Sequence, residues 1–135
     1  MKFAVIKERK SPPDRRVVLT PISCQNLLNN HPKAQLVVES SEIRAFADSE
    51  YEKFGLEVSN DISQADVMIG VKEVPIEALI PNKSYFFFSH TIKKQPYNRK
   101  LLQAILDKNI TLYDHETLVD QNHNRLIGFG YYAGV

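Results

Sequence analysis

The sequence predicts an α/β fold in which a mostly parallel sheet lies between two layers of helices. Short runs rich in Val, Ile, Phe and Tyr alternate along the chain with segments that carry helix-capping residues, and this alternation is typical of parallel sheets. Two of the runs, residues 67–71 and 85–88, are apolar on both faces, as strands covered on both sides are. These observations favour a three-layer α/β/α architecture.

The predicted strands are runs that are too short for helices and are bounded by polar or turn residues. They are residues 3–6, 35–38, 67–71, 84–88 and 111–113. A chain of 135 residues buries one core and not two, so we expect a single domain over residues 1–135. Its predicted type is Rossmann-like or flavodoxin-like.

Capping residues mark the helices between the strands. Thr20 is suited to cap a helix whose first residue is Pro21. The apolar face of this helix would be formed by Cys24, Leu27 and Leu28.

Two further helical segments are predicted before the longest helix. Asp48 is suited to cap residues 49–54, and Gly55 would end that helix. Residues 76–80 read as a short helical turn closed by Pro81.

The longest helix is predicted to open near Pro96, and a hairpin is predicted over residues 118–127, around a polar turn. On the helix, four apolar residues are expected to be buried and three basic residues to lie in solvent. The buried set is Leu101, Leu102, Ile105 and Leu106, and the solvent set is Arg99, Lys100 and Lys108.

Composition excludes several classes of function. Seventeen basic and sixteen acidic residues leave a formal charge of +1, which predicts no nucleic-acid partner and no anionic membrane surface. The longest apolar runs, such as residues 85–88, are far below the roughly 20 residues that span a bilayer. With a single cysteine, Cys24, and no secretory apolar region at the start, a reducing cytoplasm is expected.

The final residues, 128–135, are apolar and punctuated by glycine, without a polar tail or capping residues. We therefore expect the chain to be the front part of a longer protein. Small molecules are the expected partners, and a homo-oligomer is left open.

Polar side chains follow four of the predicted strands, where the functional groups of parallel sheets collect. A guanidinium fork suits a substrate carboxylate, an amine beside an apolar strand can exchange a proton, and an imidazole titrates near neutrality. This combination suits a 2-amino or 2-oxo acid. The candidates, in chain order, are Arg15, Arg16, Lys72, Glu73, Ser89, His90 and Asp114.

Each candidate has a structural alternative. Lys72 would then be a solvated strand flank, and His90 a core histidine bonded to the backbone. Arg15 and Arg16 would pair with Asp14 or Glu8, while Glu73 and Asp114 would cap helices or form salt bridges.

Metal and phosphate sites are not predicted. The four histidines and the cysteine show no metal-ligand spacing, so we expect no metal. Gly128 and Gly130 form only part of a G-x-G pattern, without the third glycine and distal acidic residue of a dinucleotide fingerprint. No cofactor-binding residue is therefore assigned in this chain.

Six segments, taken in order, span nearly the whole chain. They are Lys7-Glu-Arg9, Arg16-Val-Val-Leu-Thr-Pro21, Ala65-Asp-Val-Met-Ile-Gly-Val-Lys-Glu-Val-Pro75, Phe88-Ser-His-Thr-Ile-Lys93, Leu112-Tyr-Asp114 and Arg125-Leu-Ile-Gly-Phe-Gly-Tyr-Tyr-Ala-Gly134. The series resembles the amino-terminal domain of the alanine dehydrogenase, saccharopine dehydrogenase and transhydrogenase superfamily. The Ser-His-Thr segment and the closing aromatic-Ala-Gly segment are most similar to lysine-forming saccharopine dehydrogenases and lysine–ketoglutarate reductases.

The resemblance implies an NAD(P)-dependent oxidoreductase that acts on the carbon–nitrogen bond of an amino acid. It places the catalytic lysine on Lys72 and the catalytic histidine on His90, and it makes Glu73 the acidic neighbour that tunes the lysine. Arginines that hold substrate carboxylates fall on Arg16 and, in the saccharopine branch, on Arg125. NAD or NADP would be bound mainly by a following Rossmann domain that this chain does not contain.

Two questions stay open at this level. Lys72 is assigned to the amine and His90 to imine hydration, but the reverse, or a Lys72 that only binds carboxylate, fits equally. The alternative to an enzyme is a stand-alone amino-acid-binding or interaction module.

Overall fold

The computed structural model describes residues 1–130 and contains one six-stranded sheet. The strands are β1 (Lys2–Val5), β2 (Gln35–Glu39), β3 (Glu57–Ser59), β4 (Val67–Lys72), β5 (Ser84–Phe88) and β6 (Thr111–Asp114). Their order is β3-β2-β1-β4-β5-β6, and every pair of neighbours is parallel. The predicted α/β class with a parallel sheet is therefore confirmed. The last residues of the closing motif, 131–134, lie outside the described part.

Three α-helices connect the strands: α1 (Pro21–Asn30), α2 (Asp48–Glu52) and α3 (Arg99–Asp107). Short 3-10 turns occupy Ile76–Ala78, Thr91–Lys93, Pro96–Asn98 and His115–Thr117. Among residues 1–130, no helix is both long enough and apolar enough to cross a bilayer.

Two apolar cores lie on opposite faces of the sheet, because alternate residues of a strand point to opposite sides. On one face, Met68 and Phe87 pack with Ile105 of α3. On the other face, Val38 packs with Cys24 of α1 and Tyr51 of α2. The predicted three layers are thus confirmed.

The five predicted strands are present, but β3 was missed. Its three residues, Glu57, Val58 and Ser59, carry no apolar run, and the strand pairs only with β2 at the edge of the sheet. A short polar edge strand is stabilised by backbone hydrogen bonds more than by side-chain burial, so its composition gives little signal.

The predicted buried stripe of α3 was half wrong. Leu101 and Ile105 are buried together with Ala104, whereas Leu102 and Leu106 are 44% and 67% exposed. Residues three and four apart share a helix face, and residues 102 and 106 are turned away from the face of 101 and 105.

Lys108, predicted to lie in solvent, is half-buried. Its Nζ donates to the carbonyl oxygens of Ile76 at 2.8 Å and Leu79 at 3.1 Å. The side chain therefore satisfies the carbonyls of the 3-10 turn that packs beside α3.

Asp48 does not cap α2, contrary to the prediction. The cap position is Ala47, and the Asp48 carboxylate instead accepts hydrogen bonds from Ser40 Oγ at 2.6 Å and Ser41 N at 3.1 Å. Gly55 does end this region, with a φ of 75° that favours glycine. Beyond β6, an antiparallel bridge between Val119 and Arg125 confirms the predicted hairpin.

Thr20 caps α1 as predicted, because Ser23 N donates to Thr20 Oγ1 at 3.2 Å. Replacing Thr20 with Ala is expected to lower the free energy of unfolding by about 1 kcal/mol, whereas Asn, which also caps, should retain most of it. Urea denaturation of the 135-residue chain measures both variants. Equal losses in the two variants would contradict a capping role.

Candidate active site

The strand order reverses between β1 and β4, and open parallel sheets bind ligands at the carboxyl ends of strands beside such a reversal. All six strands run in one direction, so the segments that follow them meet at one edge. The structure places all five residues predicted for the site along this edge. They are Arg16 after β1, Lys72 and Glu73 at the end of β4, His90 after β5 and Arg125 after β6.

Arg16 is held in place by an acidic and an aromatic neighbour. Its Nε donates to both oxygens of Asp14, at 2.9 and 3.1 Å, and its guanidinium lies 4.7 Å from the centre of the Phe129 ring. The hydrogen bond from Arg16 holds the pKa of Asp14 below its ordinary value and raises the pKa of Arg16. One Nη of Arg16 also donates to Asp14, so Asp14 occupies the Nε side of the guanidinium, and the side chain is 38% exposed.

Lys72 is the last residue of β4 and is half-buried. Its Cα pairs with that of Phe88, two residues before His90 on the neighbouring strand. The charge of Lys72 contributes to lowering the pKa of Asp14, the partner of Arg16. Lys72 and Arg16 therefore both lie near the Asp14 carboxylate, which Arg16 binds directly.

Glu73 pairs with Lys10 rather than with a site residue. Lys10 Nζ donates to Glu73 Oε1 at 2.7 Å. The other oxygen, Oε2, is buried and has no hydrogen-bond partner among the described residues. Glu73 thus forms a salt bridge, as its structural alternative proposed, and its second oxygen is closed to solvent.

His90 belongs to a chain of three charged or titratable side chains. Its Nδ1 is hydrogen-bonded to Glu116 Oε1, and Arg125 donates from its guanidinium to Glu116 Oε2 at 3.1 Å. Glu116 is only 2% exposed, whereas the His90 side chain is 25% exposed. The buried carboxylate thus orients the imidazole and leaves its Nε2 directed away from this pair.

The backbone around His90 is fixed by neighbouring polar groups. Its φ of 59° lies in the left-handed region, and Asn98 Nδ2 donates to its carbonyl oxygen at 2.9 Å. Ser89 donates to Asp114, and Asp114 Oδ1 accepts from Glu116 N at 2.9 Å. The same carboxylate therefore holds the segments that present both His90 and Glu116.

Aromatic rings join the two halves of the site. Phe88 lies 6.2 Å from Phe129, the ring beneath Arg16, and 5.0 Å from the ring of His115. Phe88 and Phe129 therefore form an aromatic wall, with Arg16 over one ring and the buried His115 against the other.

The first loop of the sheet does not fit the pyrophosphate of a dinucleotide, although the strand order is the one that dinucleotide-binding domains use. Such sites need a glycine-rich turn that leads directly into a helix N-terminus. Here residues 7–20 contain no glycine but two prolines, Pro12 and Pro13, and α1 begins only at Pro21. We assign no cofactor-holding role to this loop.

Sequence reasoning missed Glu116 as a site residue. Asp114 was identified because it ends β6, but Glu116 lies two residues further, within the 3-10 turn His115–Thr117. Its adjacency to His90 depends on the pairing of β5 with β6. Extending the strand-end rule by one turn would have included it.

Comparison with known proteins identifies the family. The family described as alanine dehydrogenase/PNT, N-terminal domain, matches residues 4–135. The alpha-aminoadipic semialdehyde synthase of Bos taurus is 43% identical over 122 residues, which are 90% of this chain and 13% of that protein. The lysine-forming, NAD(+) saccharopine dehydrogenase of Schizosaccharomyces pombe is 33% identical over 96% of this chain and 36% of its own length.

Two solved structures share the fold of this chain. An L-alanine dehydrogenase matches with a TM-score of 0.75 and 22% identity, over 92% of this chain and 35% of its own. A transhydrogenase from Sinorhizobium meliloti matches with a TM-score of 0.72 and 22% identity, over 90% of this chain and 36% of its own. The chain thus spans between about an eighth and about a third of the length of these proteins.

Proposed function

The chain belongs to the alanine dehydrogenase/PNT N-terminal domain family, and from this premise we propose that it is the substrate-binding and catalytic domain of an NAD(P)-dependent amino-acid oxidoreductase. The reaction is proposed to be oxidation or formation of a carbon–nitrogen bond. The observation that carries the proposal is the shared edge of the sheet, where Arg16, Lys72 and the His90–Glu116–Arg125 chain follow the ends of the strands. NAD or NADP, bound by a separate domain, would supply hydride transfer.

Arg16 is proposed to bind the substrate α-carboxylate. Asp14 accepts hydrogen bonds from Nε and Nη2, and the partly exposed guanidinium keeps N–H groups on Nη1 and Nη2 for a ligand. A bidentate contact of this kind fixes the orientation of an amino acid as well as its charge.

His90 is proposed to handle the water molecule that adds to the imine carbon. Because Glu116 is a carboxylate and accepts at Nδ1, the imidazole carries its proton on Nδ1 and offers the Nε2 lone pair to a water proton. When that proton arrives, the buried carboxylate stabilises the imidazolium, as in other histidine–carboxylate pairs.

Lys72 is proposed to exchange a proton with the substrate nitrogen. It lies on the strand next to that of His90, so the two groups approach one reacting centre from neighbouring strand ends. In the reverse assignment, His90 would exchange the proton with the nitrogen and Lys72 would handle the water, and supplying a preformed imine to the variants distinguishes the two.

A saccharopine-type substrate is favoured over alanine within this family. Saccharopine joins two amino acids through a secondary amine and carries several carboxylates. Arg16 and Arg125 provide two guanidinium groups at the same edge of the sheet, which suits two carboxylates better than one. The relative at 33% identity is named a lysine-forming saccharopine dehydrogenase, in agreement with this preference.

The complete enzyme, meaning this domain joined to the nucleotide-binding domain that we propose follows it, tests the function. We expect efficient turnover of saccharopine with NAD or NADP in initial-rate assays, and little or none of alanine. The 135-residue chain alone should give no turnover with either cofactor, since hydride transfer requires the nicotinamide to be held against the substrate. Activity of the complete enzyme on neither amino acid would contradict the proposal. Tight binding of an amino acid to the chain alone, measured by calorimetry, would favour a binding module instead.

A further inference from the structure

A β-bulge lies where β4 presents Lys72. Ile69 pairs with Phe86 and Lys72 with Phe88, so three steps along β4 match two along β5. The extra residue disrupts the ladder between these positions, and bulges of this kind redirect the side chain that follows them. The backbone groups of residues 70–72 therefore need partners other than the neighbouring strands.

Glu8 supplies two of these partners. Val71 N donates to Glu8 Oε1 at 2.7 Å, and Lys72 N donates to Glu8 Oε2 at 2.8 Å. The last backbone bond between β1 and β4 runs from Ile6 N to the carbonyl of Ile69, at 3.0 Å. The Glu8 carboxylate thus continues the pairing where the backbone of β1 has turned away from β4.

His115 supplies a third partner from the other side. Its Nε2 lies 2.8 Å from the carbonyl oxygen of Gly70, and its ring packs against Phe88. The Nδ1 atom is buried without a hydrogen-bond partner among the described residues, so the bond to Gly70 is the polar anchor that the structure gives this buried ring.

Gly70 is the residue that lets Glu8 and Ile6 approach the bulge. A Cβ at position 70 would lie 2.9 Å from two side-chain carbons of Ile6 and 3.4 Å from Glu8 Oε1. Any larger residue would press on the side chains that lie against the bulge.

Glu8 is buried, and the charges around it come from the loop that follows β1. Asp14 and Arg16 of that loop act on its carboxyl, and the amides of Val71 and Lys72 face it from β4. Burial raises the pKa of Glu8, with the two backbone hydrogen bonds opposing the rise. The carboxyl therefore lies between the arginine and the lysine of the proposed site.

We propose that Glu8 and His115 clamp the β4 bulge from two sides, and that Glu8 is a positioning residue that fixes where Lys72 meets the substrate. This inference deepens the proposed function and rests on it for the role of Lys72. The clamp itself rests only on the contacts of Glu8, His115 and the backbone of residues 70–72.

The clamp is tested first in the 135-residue chain, by following backbone amide signals in NMR as the pH is lowered. The amide protons of Val71 and Lys72 should shift together with the side-chain carboxyl signal of Glu8, since protonation removes one acceptor. The pH midpoint of this titration should lie above the ordinary pKa of glutamate, because burial raises the pKa of Glu8. In Glu8→Gln this shared titration should be absent.

The positioning role is tested in the complete enzyme. Glu8→Gln keeps the size of the side chain but replaces one acceptor oxygen with an NH₂ group. One of the two backbone N–H groups then meets a donor, so the bulge must rearrange. We expect kcat to fall by about ten- to a hundredfold with a smaller change in KM, as misplacement of a reacting group does. His115→Phe keeps an aromatic ring but loses the hydrogen bond to the Gly70 carbonyl, and it should also lower kcat. Glu52→Gln, an exposed residue of α2, serves as the control.

Each outcome decides one part of the inference. Amide signals of Val71 and Lys72 that do not follow the Glu8 titration would overturn the clamp, whatever the kinetics. A shared titration with unchanged kcat in Glu8→Gln, while Lys72→Met remains strongly impaired, would overturn the positioning role. If Lys72→Met itself turned over normally, the proposed function would fail, and the amide titration would still decide the clamp.

Discussion

Replacing Lys72 with Met in the complete enzyme is expected to lower kcat by about 10²–10⁴-fold, the usual contribution of a general acid–base group. Met retains much of the length and apolar stem of the lysine, so packing at the end of β4 should be preserved. The loss should be accompanied by flattening of one limb of the pH–rate profile, because the group that exchanges the proton is gone. Steady-state kinetics across a pH series measures both effects.

Lys100→Met is the matched control for that experiment. Lys100 is exposed on α3 and makes no hydrogen bond within the described part of the chain that would tie it to the site. A loss of only about twofold in Lys72→Met, or an equal loss in the Lys100 variant, would be too small for acid–base catalysis at position 72.

Replacing His90 with Gln is expected to slow turnover by a similar factor, about 10²–10⁴-fold. Gln can still contact Glu116 but has no second nitrogen that takes a proton from water. Glu116→Gln should slow turnover less, since the imidazole remains and loses only its orienting carboxylate.

His31→Gln controls for general effects of removing an imidazole, because His31 is exposed at the end of α1. The two catalytic steps can be separated by supplying the imine directly in the reductive direction. A variant that blocks hydration should reduce a preformed imine at the normal rate, and one that blocks the amine proton step should not. Normal turnover of both Lys72→Met and His90→Gln would refute the assigned chemistry.

The strands of the sheet were predictable because short runs of neighbouring apolar residues mark them in the sequence. Residues 67–71 and 85–88 are apolar on both faces, and burial on two sides is what a central parallel strand requires. β3 lacked that signal because it lies at the edge and carries Glu57 and Ser59. Strand-end placement then brought Lys72 and His90 to the same edge without further information.

The predictions were wrong where they depended on the direction in which a side chain points. Four apolar residues of α3 were expected to face the core, but the helical rotation per residue turns Leu102 and Leu106 outward. Asp48 has the chemistry of a cap, yet Ser40, Ser41 and Arg44 from the preceding loop bind its carboxylate. Such competition between partners depends on tertiary contacts that local sequence does not contain.

The supporting residues of the site needed the pairing of distant segments. Glu116 reaches His90 from 26 positions along the chain, and Glu8 reaches Val71 from 63. Neither contact can be predicted from the spacing of residues along the sequence. Both residues nevertheless come shortly after strands, β1 and β6, whose ends were predicted to contribute to the site. The sequence therefore named the residues that are proposed to contact substrate, but not Glu116 and Glu8, whose carboxylates hydrogen-bond His90 and the backbone of Lys72.

A structure of the complete enzyme with saccharopine bound tests the central claim most directly. We predict that the secondary amine of the substrate lies within about 4 Å of Lys72 Nζ. His90 Nε2 should contact the carbon that becomes the imine carbon, or be linked to it by one water molecule. Arg16 should bind a carboxylate with two N–H groups. Saccharopine bound instead in the cavity of about 180 Å³ beside Arg9 and Glu39, away from Lys72 and His90, would contradict the proposed site.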